Sequence, residues 1–178
     1  KETAQCIREA LKRAFPGVRF SVRTAYASMT SSTHVQWTDG PTEPEVNVIT
    51  SRFTSKGFDG QTDSTTYHEQ VVNGQRVSYA GWVTTRRDVT ATLLQKALNR
   101  YNVERATYGY GPAALTVRAN GRYPTLDGPD ASTLNPCGGR ATWCPDAVYQ
   151  IAYTMRPNGV LVRVKTPYPE SPLEEERP

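Results

Sequence analysis

The stretch from Val35 to Asp63, VQWTDGPTEPEVNVITSRFTSKGFDGQTD, constrains the fold more than any other part of the chain. It opens as an extended segment with Val35 and Trp37 on one side. Asp39-Gly40-Pro41 then breaks the strand. Thr42 and Glu45 have capping-box spacing, in which each side chain satisfies a free N–H of a helix's first turn. Pro44 fits that turn, because its missing N–H would have no intrahelical partner. Val46, Ile49 and Phe53 carry the helix on, and Lys56-Gly57 closes it. Phe58-Asp59-Gly60 and Thr62-Asp63-Ser64 read as turns. A strand, a turn and a capped helix follow one another here, and none of them is a catalytic signature.

The flanks repeat the alternation of helix and hairpin. Residues 3–15 place Ile7, Ala10, Leu11 and Ala14 on one helical face, and Phe15-Pro16-Gly17 ends the helix. Val18, Phe20 and Val22 alternate with Arg19, Ser21 and Arg23, as in a half-buried strand with a basic outer face. The Ser/Thr-rich segment from Ala25 to Thr33 reads as a hairpin loop, with His34–Trp37 as the return strand. Downstream, Tyr67–Val72 and Gln75–Thr85 flank Asn73-Gly74, the pair favoured by a type I′ turn. Asp88 stands where a cap belongs for a third helix, whose apolar side is Val89, Leu93, Ala97, Leu98 and Tyr101.

Beyond residue 104 the pattern is weaker. Leu115–Arg118 reads as a short strand, and Val148–Met155 and Val160–Lys165 as a hairpin joined at Arg156-Pro157-Asn158-Gly159. The expected fold is therefore α+β: an antiparallel sheet in αββ-αββ-α order with helices on one face, then a β-rich segment. In domain terms this gives a core over 1–104, a β-rich extension over 105–165 and a disordered acidic, Pro-rich tail over 166–178.

Charge narrows the partners. The chain of 178 residues carries +4, with 21 Lys+Arg against 17 Asp+Glu. The segment after Pro167 holds four of those acids and one base, so residues 1–167 carry 20 bases and 13 acids, or +7. A basic body favours polyanions or an acidic partner through long-range attraction. No apolar run approaches the roughly 18 residues of a membrane span, and no leader pattern is present. Three cysteines make no disulfide framework, so a cytoplasmic setting is the default.

The segment Phe15–Arg23 after its helix, Val35–Thr42, and Phe58–Asp63 together resemble a family of large polyvalent protein-associated domains, the member numbered 29, over about residues 3–90. The resemblance departs from the family pattern at Gln61, where Met is usual. It implies a part of very large phage and plasmid proteins that are thought to enter a new host with the DNA and protect it. It implies no catalytic residues.

Several clusters invite chemistry. Asp39, Asp59 and Asp63 could hold Mg²⁺ for phosphodiester cleavage, although Asp before Gly is ordinary turn chemistry. His34 and His68 could act as acid and base, but no nucleophile motif accompanies them. Cys137 and Cys144 are spaced too widely for a zinc knuckle and have no second ligand pair. No catalytic residue, metal or cofactor is therefore assigned. The basic residues carry more. Arg8 and Lys12 lie on the first helix, Arg19 and Arg23 on the first strand, and Arg86 and Arg87 at the end of another, with Trp82 as a stacking platform. Arginine tracks with aromatic platforms suit nucleic acid. The expected function is a non-enzymatic binding module of a mobile element. Its partner is nucleic acid, single-stranded or duplex, or a nucleic-acid-bound host protein. Inhibition of a host defence protein and metal-dependent nuclease activity are the alternatives.

Overall fold

The computed structural model describes residues 2–27, 30–59, 64–67, 70–72, 75–77, 81–119, 123–137 and 143–162. The order is α1 (Glu2–Ala14), β1 (Ser21–Ala27), β2 (Thr30–Thr38), α2 (Glu43–Thr50), β3 (Lys56–Asp59), β4 (Ser64–Tyr67), β5 (Gln70–Val72), β6 (Gln75–Val77), β7 (Trp82–Asp88), α3 (Ala91–Thr107), β8 (Thr116–Arg118), β9 (Thr125–Asp127) and α4 (Cys144–Thr154). The α+β class is as expected.

The central sheet has three strands in the order β1-β2-β7. β1 and β2 are antiparallel, and the segment expected as a loop is largely ladder: Ala25 faces Ser32 and Tyr26 faces Ser31. Ser and Thr pair readily across strands, so polarity there does not mean loop. β7 then joins β2 in parallel, with Ser32 opposite Trp82 and Thr38 opposite Asp88. The sheet is thus mixed rather than antiparallel. β5 and β6, on either side of Asn73-Gly74, do pair antiparallel, although the turn pair itself lies outside the described residues, and β7 belongs to a different sheet. Lys56-Gly57 opens β3 instead of closing a helix, because α2 ends at Thr50 and one 3₁₀ turn, Ser51–Phe53, follows.

Two apolar cores result. In the first, Ile7 and Leu11 of α1 and Val46 of α2 pack with Val22, Val35 and Trp37, all from one face of the central sheet. In the second, Leu93, Leu94, Ala97, Leu98 and Tyr101 of α3 pack on Ala147, Val148 and Ala152 of α4, with Leu115 and Leu126 alongside. The strand expected over Val148–Met155 is therefore the helix α4. Its short apolar run fits either period, and the i, i+4 pair Val148–Ala152 faces α3. Among the described residues, the expected hairpin is represented by one bridge, Met155 to Leu161, around a turn with Gly159 at φ 86°. α3 itself is capped by Thr90, whose hydroxyl accepts from the Leu93 N–H, and not by Asp88. The segment expected as a disordered tail lies outside the described residues.

α2 starts as expected. The Glu45 carboxylate accepts from both the N–H and the hydroxyl of Thr42, each at 2.8 Å. It also pairs with Arg156 from the second half of the chain. Burial pushes the Glu45 carboxyl up, but the Arg156 and Thr42 bonds outweigh that and hold it below its ordinary value of 4.5. A carboxylate with a lowered folded-state pKa stabilises the fold above its unfolded pKa, and that contribution is lost as pH falls through the folded value. Wild type should therefore exceed Glu45→Gln in Tm at neutral pH, with the gap closing as pH drops below about 4.5. A gap that stays constant from pH 7 to pH 3 would contradict this role.

Candidate nucleic-acid interface

Pairing register places the sequence-selected residues. On the central sheet, Val22, Val35 and Thr85 form one row on the face that α1 and α2 cover. The neighbouring residues point the other way. Ser21, Gln36 and Arg86 form one row of that second face, Arg23, His34 and Thr84 the next, and Ala25, Ser32 and Trp82 a third. Arg23, His34, Thr84, Trp82 and Arg86 are all exposed. No described residue buries this face, and it is polar and basic, with one large aromatic ring.

Of the seven residues singled out for nucleic acid, Arg23, Trp82 and Arg86 meet on this face. Arg19 stands two residues before β1, exposed, at the mouth of an adjoining cleft. Arg86 is held by an ion pair to Asp88 at 3.3 Å and lies 5.1 Å over the Tyr123 ring. Arg8 and Lys12 are exposed on α1, the helix that covers the opposite side. Arg8 donates to the Val22 carbonyl at 2.6 Å, so its guanidinium braces the edge strand.

Arg87 is the correction. It is only 3 % exposed. Its Nε donates to the Asp39 carbonyl at 3.0 Å. Nη1 donates to Ala152 and Tyr153 (3.2 and 2.9 Å) and Nη2 to Gly40 and Met155 (3.4 and 2.7 Å). A guanidinium has five N–H donors, and all five are used. Burial lowers its pKa, and the charges of Asp39 and Glu45 pull it back up. It has nothing left for a phosphate. The signal was present in the sequence: Val83, Thr85 and Arg87 step by two, which puts Arg87 on the covered face and Arg86 on the bare one.

The candidate acids and bases are also engaged. Asp39, at φ 50°, accepts from the Thr90 N–H at 2.9 Å and the Thr90 hydroxyl at 2.7 Å. It therefore supports the α3 cap. Asp59 sits in β3 rather than a turn, and Asp63 and His68 lie outside the described residues. The His34 ring meets Thr84 at 2.7 Å through Nδ1 and Ser32 at 3.1 Å through Nε2. Cys144 is buried with its sulfur near Thr133 at 3.3 Å, and burial pushes the Cys137 thiol up. Among the described residues no three His, Cys, Asp or Glu side chains group as a metal site. No described helix is long and apolar enough to cross a membrane.

A helix-backed mixed sheet with one bare basic face defines the class of the N-terminal half. The family model of large polyvalent protein associated domain 29 matches residues 1–90, and the chain belongs to that family. The match stops at Thr90, the residue before α3, and so takes in all of the first core and only Val89 of the second. No curated protein and no solved structure matches the chain.

Two variants separate structural from surface roles. Removing Arg87 takes the donor from five carbonyl groups, those of Ala152 and Met155 in buried bonds, so Arg87→Ala should cost about 3–5 kcal/mol in urea unfolding. Arg86→Ala should stay within about 0.5 kcal/mol. Equal effects would contradict the assignment. Asp39→Ala should cost about 1–2 kcal/mol through the weakened cap. Chelation of divalent cations should leave the wild-type Tm unchanged, whereas a chelation-induced drop would point to Asp39 as a ligand.

Proposed function

We propose that this chain is a non-enzymatic module of a phage or plasmid protein that holds a nucleic-acid strand across the bare face of its central sheet. The observation that carries this is the convergence of Arg23, Arg86 and Trp82, from two strands far apart in sequence, on one uncovered face. Arginine forks fit phosphate, and an exposed indole offers a base a stacking surface whatever its identity. Ser32, His34, Gln36 and Thr84 supply hydrogen-bonding groups between them. A sheet face of this kind suits single strands, whose splayed bases lie against it, better than a duplex, whose bases are read in grooves. The +7 body supplies long-range attraction. The link to mobile elements comes from the family, whose members are associated with large polyvalent proteins.

Against the nuclease alternative, the Asp39 carboxylate is taken up by two bonds from Thr90, the residue that caps α3. The proposal is tested by fluorescence anisotropy with labelled single-stranded and duplex oligonucleotides at several salt concentrations. Wild type should prefer the single strand and weaken steeply with salt. Arg23→Ala/Arg86→Ala should lose about tenfold in affinity and flatten the salt slope by roughly one per arginine. No binding at low salt, or unchanged affinity in the double variant, would overturn it.

A further inference from the structure

At one end of the bare face the sheet gives way to a cleft of about 950 Å³. Such a volume lies within the roughly 300–1,000 Å³ of small-ligand sites and exceeds what one nucleotide needs. Ser21, Gln36 and Asp88 of the sheet line it, together with Phe20, Trp37 and Val89, and Arg19 stands at its mouth. Ser21 and Gln36 belong to the same row as Arg86, so the cleft continues the proposed strand path.

The amide of Gln36 has a fixed orientation. Its Nε2 donates to the Asp88 carboxylate at 2.7 Å. A carboxylate only accepts, so the amide cannot flip without losing that bond. Among the described residues, the Gln36 carbonyl oxygen and second N–H make no further hydrogen bond. An acceptor and a donor side by side on one planar amide are complementary to an adenine edge, which offers N6–H beside N7. The N-terminal turn of α3 lines the cleft through Thr90 and Ala91, and two of its N–H groups are taken. The Thr90 N–H goes to Asp39 and the Leu93 N–H to the Thr90 hydroxyl. The cation that lines the cleft and suits a phosphate is Arg19.

We propose that this cleft is a base pocket, in which Gln36 reads one adenine of the bound strand while Arg19 holds its phosphate. The inference rests on the strand-binding reading above and gives it a base preference. Anisotropy with oligo(dA), oligo(dT) and an oligo(dA) carrying 7-deazaadenine tests it on the wild-type protein, independently of any effect on folding. Oligo(dA) should bind about tenfold tighter than the other two, because 7-deazaadenine lacks the N7 acceptor. Gln36→Leu should lose the dA preference, binding oligo(dA) and oligo(dT) to within about twofold of each other. Equal binding of all three strands by wild type would overturn the pocket and leave the sheet reading standing. A dA preference that survives in Gln36→Leu would also overturn it. Failure to bind any strand would overturn both.

Discussion

The five hydrogen bonds of Arg87 hold the two halves of this protein together. Two go to the turn that ends β2 and three to the last residues of α4 and its cap. Trp37 of the first core stands just before that turn, and Ala152 and Met155 of the second core stand at that helix terminus. The carbonyls at a helix C-terminus lack intrahelical donors, and the helix dipole is negative there, so a cation is favoured. A buried charge is tolerable only when it is fully hydrogen-bonded. This one is, with the charges of Asp39 and Glu45 acting on it. The Glu45–Arg156 pair and the bonds from Thr90, the cap of α3, to Asp39 add further ties between the same two halves.

The covered face is spent on these ties and on the first core, and the opposite face of the sheet is left exposed. Alternation along β7 divides the labour between neighbours. Arg87 turns inward to structure, and Arg86 turns outward to solvent. The same two-residue period carries Arg23 out and Val22 in. Helices α1 and α2 thus position the bare surface without contributing to it, and Arg8 and Lys12 on α1 lie away from it.

Much of the first half was legible in the sequence because its signals are local. The Thr42/Glu45 cap, the Asp39-Gly40 break and the apolar stripe of α1 each depend on residues within a few positions of one another. What was not legible is long-range. Nothing near Trp82 says that β7 pairs in parallel with β2, some 50 positions earlier, and that pairing is what brings Trp82 beside Ser32 and Arg86 beside Gln36. Val148–Met155 reads as a strand in the sequence because eight apolar-rich residues satisfy both periods. Its partner face on α3 decides the matter. Asp39 looked like turn chemistry and is that, but its carboxylate also reaches Thr90, a contact that only the tertiary fold creates. Gln36 drew no attention because its interest comes from Asp88, its cross-strand diagonal.

The central claim is that nucleic acid lies on the bare face, and photo-crosslinking tests it most directly. A single strand carrying 5-iodouracil would be irradiated with the protein, and the attached peptides identified by mass spectrometry. The account predicts adducts at Trp82 and in the β1–β2 peptides that carry Arg23 and His34. Adducts confined to α1, or their absence under conditions where the strand is bound, would contradict it.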